Sequence, residues 1–241
     1  MKIFLPELST DRQSFPSTKE ALDNPDGLIA MGGDLHPDRL LSAYQQGIFP
    51  WYSHNEPILW WSPSVRATFD PKTFKPAKSL KKYFRKSGYE VSINKATKEV
   101  ITLCAETRSP DETWLVEEMR EAYQRLASLG HVHSVEVWLK DQIVGGLYGV
   151  EIGQVFCGES MFSIQRNASK VALWHFCQHF QRNGGALIDC QLMNAHLQSL
   201  GAAECSRADF IDMLEILKTK HVSKQCYQPQ ILESPISGEL S

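Results

Sequence analysis

Asp189 and Gln191 stand two residues apart in the string Leu187-Ile188-Asp189-Cys190-Gln191-Leu192. On a strand, alternate side chains share a face, so Leu187, Asp189 and Gln191 would emerge together. A carboxylate and a carboxamide leaving the end of an otherwise apolar strand, just before a turn, stand where a mixed sheet binds ligands. The plainer alternative is a carboxylate that caps the next helix or accepts from nearby N–H groups. Glu159 interrupts a second apolar string, Val155-Phe156-Cys157-Gly158-Glu159-Ser160-Met161-Phe162. A buried Glu must be paired or neutral, so its partner is either a substrate cation or a structural ion-pair residue. Leu173, Phe176, Cys177 and Phe180 repeat at i, i+3, i+4 and i+7. Such a stripe reads as core, or as the wall of an apolar substrate pocket.

Other chemistries fit less well. His175 and His179 are spaced i, i+4 but lack an HExxH context, and read as a solvated helix face rather than metal ligands. His131 and His133 have no accompanying Cys or His cluster. Ser160 sits in Cys-Gly-Glu-Ser-Met-Phe rather than a GxSxG elbow, and there is no Walker loop and no GxGxxG. No metal is expected.

The stretch Gly47 to Pro63 holds Trp51, Trp60 and Trp61, half of the six tryptophans, with Pro50, Pro57 and Pro63 and no Lys or Arg. The prolines fix φ and remove backbone donors, so an ordered loop or a set of short turns is expected rather than a regular strand. Its tryptophans would either plug two layers together or wall a flat ligand.

Net charge is -3, which alone argues against nucleic-acid binding, but its distribution is uneven. Between Pro71 and Tyr89 lie Lys72, Lys75, Lys78, Lys81, Lys82, Arg85 and Lys86, and no acid. The remainder holds 18 basic against 28 acidic residues. One basic patch on an acidic body draws a polyanion to one place. The helix carrying it has only Leu80, Tyr83 and Phe84 as its apolar face, too little for a membrane-surface helix. Six widely spaced cysteines without CxxC, and no secretion signal or apolar run of spanning length, imply reduced thiols and a cytoplasmic, membrane-free protein.

The elements that must position these residues fall into two parts. Residues 1–62 are rich in Pro, Gly and Trp and form a small N-terminal domain with one helix, Pro37–Gln46, capped by Asp34 or His36 and ended by Gly47. Residues 63–241 form the larger domain. Helices are expected at Ala77–Lys86, Lys95–Ala105, Val116–Leu129, Asn167–Gln181 (capped by Asn167), Ala195–Leu200 and Arg207–Lys218. Strands are expected at Tyr89–Ile93, His133–Leu139, Gln142–Ile152, Gln154–Phe162 and Ala186–Gln191, with an irregular tail after Gln225. Central antiparallel hairpins, a crossover helix and a further strand make an α/β fold with a mixed sheet covered by helices, the order of the GNAT-type N-acetyltransferases. The loop that holds the CoA pyrophosphate in that type is Q/R-x-x-G-x-G/A, whereas this chain reads Gln165-Arg166-Asn167-Ala168-Ser169-Lys170. The CoA cradle is degraded, and with the basic patch this points to an acyl donor carried on nucleic acid.

The strings GLIAMGGDL (27–35), YQQGIFPW (44–51), ILWWSP (58–63), HSVEVW (133–138), GGLYGV (145–150), FCGESMFS (156–163), NASKVAL (167–173), LIDCQ (187–191) and SLGA (199–202) resemble the leucyl/phenylalanyl-tRNA–protein transferase family from about residue 3 to about residue 230. The resemblance implies transfer of Leu, Phe and, less readily, Met from aminoacyl-tRNA to the α-amino group of proteins beginning with Arg or Lys, which marks them for N-end rule degradation. It implies a small N-terminal domain before a GNAT-like acyltransferase domain, and no CoA, metal or ATP. A monomer is expected. By motif, it assigns Asp189 and Gln191 as the catalytic pair and Glu159 as the acid near the acceptor. Trp51 and Trp114 would sandwich the 3′ adenine. Leu147, Leu173, Phe176, Phe180 and Ile188 would enclose the donor side chain, with Leu147 where some members carry Met. Lys78, Lys81, Lys82, Arg85 and Lys86 fall on the tRNA-contacting surface. Asp189 polarising Gln191, which orients the attacking amine, is the expected relay. Two other readings stay open: a CoA-dependent N-acetyltransferase, disfavoured by the Gln165–Lys170 loop, and a non-catalytic RNA-binding module, which leaves Glu159, Asp189 and Gln191 unexplained.

Overall fold

The computed structural model describes residues 5–107 and 115–234 and builds two sheets that share one core. The first sheet contains β1 (Glu7–Leu8), β2 (Leu28–Gly32), β3 (Phe49–Pro50) and β4 (Leu59–Trp61) in the order β1-β2-β4-β3. Helix α1 (Pro37–Gln45) joins β2 to β3. Its N-cap is His36, whose Nδ1 accepts from the Asp38 N–H, and Pro37 supplies the first turn. Asp34 fixes that cap by accepting the His36 N–H at 2.9 Å. Leu40, Ala43 and Tyr44 form the buried stripe.

The Trp-rich stretch does contain regular strands, contrary to the expectation from its prolines. Pro50 ends an edge strand, where no donor is needed, and Pro57 and Pro63 bracket β4 rather than interrupt it. Trp60 is fully buried; its Nε1 donates to Gly32 O at 3.0 Å and Phe15 meets its ring edge-on.

The second sheet has eight strands, β5 (Val65–Phe69), β6 (Glu90–Ile93), β7 (Val132–Leu139), β8 (Gln142–Ile152), β9 (Val155–Ser163), β10 (Leu187–Asp189), β11 (Ala203–Ser206) and β12 (Gln230–Ile231). Their order is β11-β5-β10-β9-β8-β7-β6-β12. All neighbours are antiparallel except β9 and β10. Among the described residues six helices accompany it: α2 (Lys78–Ser87), α3 (Thr97–Glu106), α4 (Glu117–Ser128), α5 (Ala168–Arg182), α6 (Ala195–Leu200) and α7 (Arg207–Leu217). The fold is thus the expected mixed α/β sheet, with β5 and β11 as unexpected members. In the described part of the tail after Gln225, most residues lie outside regular elements, as expected, but Gln230–Ile231 form β12 paired with β6, and Tyr227 stacks on His133 at 3.6 Å.

Side chains replace missing caps inside this sheet. Asn167 occupies the N-cap of α5 but lies in the left-handed region and makes no side-chain cap bond, unlike the expected cap. Helix α3 also lacks its own cap, and the buried Glu136 of β7 accepts the Lys95 and Ala96 N–H groups instead, together with the Ser92 and Ser134 hydroxyls. Helix α5 lies between the sheet and α2, so both its faces are covered. His175, expected in solvent, is therefore buried against Phe84 and Trp174, and burial holds its imidazole down to about 4.

Candidate active site

β10 stops at Asp189, opposite Cys157, while β9 continues from Gly158 to Ser163. The gap this leaves at the only parallel junction among the described strands of the larger sheet opens into a cavity of about 730 Å³. A β-bulge aims a side chain at it. Tyr148 faces Ser160 and Gly149 faces Gly158, so Glu159 is the extra residue of β9. Gly149 permits this bend: a Cβ there would lie 2.3 Å from Cys157 O.

Much of the lining is apolar. Leu147, Leu173, Phe176 and Ile188, four of the residues expected around the donor side chain, are part of it, joined by Phe69 and Phe156. Phe180, expected among them, is absent from the lining; it stacks behind Phe176 at 5.1 Å and packs the core, because it lies one turn beyond Phe176 along α5. The polar part of the lining includes Glu159, Gln191, Asn194 and His196. Trp51 and Leu192, each 41% exposed, form the rim. Trp51 is held there by Trp61, which donates to its carbonyl at 2.6 Å and meets its ring edge-on at 5.7 Å.

Among the described residues Glu159 has no ion-pair partner. Its Oε2 accepts from Tyr123 Oη at 2.7 Å, and Oε1 is buried without a hydrogen-bond partner among the described residues. Burial pushes this carboxyl up to about 7, against the hydrogen bond from Tyr123, which favours the ionised form.

Asp189 and Gln191 do not emerge side by side. The strand ends at Asp189, and Gln191 adopts φ 55, which breaks the alternation that would have placed both side chains on one face. Asp189 is fully buried and outside the cavity lining. Arg66 donates to both its oxygens, Nε to Oδ1 and Nη2 to Oδ2, each at 2.7 Å. Oδ1 also accepts the backbone N–H of Gln191 at 3.0 Å. Asp189 thus meets Gln191 at its backbone N–H. The Gln191 side chain lines the cavity, with its Nε2 buried and unpartnered among the described residues. Cys190 also lines the cavity, its thiol held well above the usual range by burial and by Asp189.

Arg66, Tyr44, Tyr123 and His196 escaped the sequence reading. Arg66 left one signal, a lone cation inside an apolar alternation. The tyrosines left none. Trp114 lies outside the described residues. The basic residues Lys78, Lys82, Arg85 and Lys86 are exposed along α2, with Lys81 partly covered, while Leu80 is buried and Phe84 packs on Trp174 of α5. Among the described residues there is no His, Cys, Asp or Glu group able to hold a metal, and no helix long and apolar enough to cross a membrane.

The model of the family described as leucyl/phenylalanyl-tRNA protein transferase matches residues 68–215, and the model of that family's N-terminal domain matches residues 33–64. The leucyl/phenylalanyl-tRNA–protein transferase of Aliivibrio fischeri is 61% identical over 233 residues, 96% of this chain and 98% of that one. That of Photobacterium profundum is 58% identical over 236 residues, 98% of this chain and 100% of that one. Among solved structures, the chain aligns with a GCN5-related N-acetyltransferase from Kribbella flavida at TM-score 0.38 and 12% identity, over 69% of this chain and 60% of that one. The family models and the near full-length relatives show that the chain belongs to the leucyl/phenylalanyl-tRNA–protein transferase family, and is an aminoacyltransferase.

Proposed function

We propose that the chain moves Leu, Phe and, less readily, Met from the 3′ end of aminoacyl-tRNA to the α-amino group of proteins that begin with Arg or Lys, and so marks them for N-end rule degradation. One observation carries this reading: a single cavity joins apolar side chains to Glu159, whose Oε1 is buried without a hydrogen-bond partner among the described residues, and to Gln191, whose Nε2 is likewise buried and unpartnered. The apolar wall takes the donor side chain. Glu159 takes the cationic side chain of the acceptor, as charge complementarity requires. Trp51 at the rim stacks on the terminal base, and the cations of α2 meet the tRNA backbone.

The chemistry is ester aminolysis. The neutral α-amine attacks the ester carbonyl carbon, a C–N bond forms, and the bond to the ribose oxygen of the tRNA breaks. The amine proton leaves with that oxygen or to water. An α-amino group titrates near 7.7–8.0, so part of it is already neutral at pH 7 to 8. Gln191 Nε2 donates to the carbonyl oxygen as negative charge develops there. Arg66 and Asp189 act at one remove, by fixing the turn that carries Gln191. The ester is already activated, so positioning supplies the rest and neither ATP, metal nor CoA enters. We read the protein as a monomer, and a tRNA donor is consistent with the cytoplasm.

The test is transfer of labelled Leu from Leu-tRNA to two peptides, one beginning with Arg and one with Ala. Labelling of the Arg peptide alone establishes the acceptor rule. A folded protein that labels neither, while binding tRNA, sinks it.

A further inference from the structure

Two tyrosines from distant parts of the chain converge on Glu159. Tyr44 comes from α1 and Tyr123 from α4, and both are buried. Their hydroxyls are 2.7 Å apart, and Tyr123 Oη donates to Glu159 Oε2 at 2.7 Å. The Tyr123 ring is fixed in turn by an edge contact with Tyr148 at 5.5 Å. The result is a chain of polar groups, Tyr44 to Tyr123 to Glu159, enclosed by the core that joins the two sheets. A Phe at either position would pack as well, so packing alone does not account for the hydroxyls. Each of them is costly to bury unless it is hydrogen-bonded.

We infer that Tyr123, supported by Tyr44, is a positioning residue for acceptor selection: it occupies one oxygen of Glu159, leaves the other for the incoming cation, and favours the carboxylate form that the cation needs. This rests on Glu159 being the acceptor's partner. The groups that act on Glu159 from the surrounding elements are Tyr44 of α1, Tyr123 of α4, Cys157 of β9, Arg66 of β5 and Asp189 of β10. Arg66 and Asp189 neutralise each other as a pair, and the Cys157 thiol is held protonated by burial. The two phenols are likewise held far above their usual range, so they stay neutral donors at any pH the protein meets. Of this set, Glu159 is the group that changes charge near neutrality.

The prediction is a pH-dependent selectivity set by Tyr123. The readout is the ratio of kcat/KM for a peptide beginning with Arg to that for the same peptide beginning with citrulline. Citrulline has the shape of Arg without its charge, and both peptides carry the same titrating α-amine, which cancels in the ratio. In the unmodified protein the ratio should climb as pH rises through about 7, as Glu159 ionises. In Tyr123→Phe the climb should move up by about one pH unit, which lowers the ratio at pH 7 about fivefold and lets it rejoin the original near pH 9. Tyr44→Phe should move it the same way by less, and carries the test if Tyr123→Phe does not fold. KM for aminoacyl-tRNA should not change. A folded Tyr123→Phe whose ratio climbs at the original pH, or falls equally at every pH, overturns the inference. Glu159→Gln separates the two levels of the argument. A flat ratio near one is expected, and a Glu159→Gln protein that still prefers Arg removes Glu159 from acceptor recognition, whatever the tyrosines do.

Discussion

Arg66 and Asp189, 123 residues apart, form a bidentate ion pair sealed from solvent. Burial alone would lower the guanidinium's affinity for its proton, and Asp189 outweighs that effect. The pair reaches both walls of the cavity. Arg66 Nη1 donates to Gly47 O, two residues before Phe49, and its guanidinium lies 5.0 Å from the ring of Phe49 and 4.4 Å from that of Phe210. Asp189 holds the backbone N–H of Gln191. One salt bridge therefore links the loop that carries Trp51 to the turn that carries Gln191.

Removing one member of such a pair strands the other. Asp189→Ala leaves a buried guanidinium uncompensated and should cost about 3–5 kcal/mol of stability. It also frees the Gln191 turn, so kcat should fall more than the KM for either substrate rises. Arg66→Met with Asp189→Leu should recover part of the stability but little of the activity. Urea unfolding beside the transfer assay measures both. Full activity and stability in Asp189→Ala would remove the pair from the design.

Trp51 stands at the rim with its indole face free of any stacked partner among the described residues; Trp61 touches it only edge-on. Stacking of a base on an aromatic ring contributes about 1–3 kcal/mol. Trp51→Ala should raise KM for aminoacyl-tRNA about tenfold to a hundredfold while the melting temperature stays nearly constant. A folded variant with unchanged KM would contradict the assignment.

The basic helix α2 makes a separate prediction about salt. Charge reversal at Lys81, Lys82 and Arg85 should weaken tRNA binding and flatten the plot of log K against log salt by roughly one for each phosphate left unneutralised. The variants should fold, since α2 is anchored by Leu80 and by Phe84 against Trp174. An unaltered slope, measured by filter binding at several salt concentrations, places the tRNA elsewhere.

What the sequence revealed depended on range. The meander from Val132 to Ser163 and helix α5 follow from local alternation and periodicity, and Leu173 and Phe176 of the cavity wall follow with α5, while Leu147 and Ile188 came only with the family resemblance. β5, β11 and β12 do not, because they are short and owe their pairing to partners far along the chain. Arg66 reads as a surface cation until Asp189 is set against it. Glu159 was legible as a buried acid. Its aim was not, because a bulge is a mismatch of register between two strands and no single strand encodes it. Tyr44 and Tyr123 are 79 residues apart and meet only once α1 packs near α4.

That bulge can be tested directly. In Gly149→Ala the new Cβ would lie 2.3 Å from Cys157 O and 2.6 Å from the Phe156 ring, so β8 must shift against β9. The overpacking should cost about 1–3 kcal/mol. Because Glu159 is two residues from Cys157 on the displaced strand, KM for the acceptor peptide should rise more than KM for aminoacyl-tRNA. Equal rises in the two would mean that the bulge does not aim Glu159.

Glu159 also ties stability to pH. Its folded-state carboxyl is raised from 4.5 to about 7, chiefly by burial. The fold therefore favours the protonated form. This contribution is complete below the unfolded value near 4.5, declines as pH rises between 4.5 and 7, and is gone above that window. Over the full window it amounts to at most about 3 kcal/mol. Glu159→Gln stays neutral throughout, so it should match the original protein near pH 5 and exceed it in stability above pH 7, while losing the preference for a cationic acceptor. Site residues kept at a cost to stability behave in this way. Urea midpoints at pH 5, 6, 7 and 8 for both proteins provide the check. Parallel curves with no divergence above pH 5 would mean that Glu159 ionises freely in the fold and does not hold the poised carboxyl that acceptor selection requires.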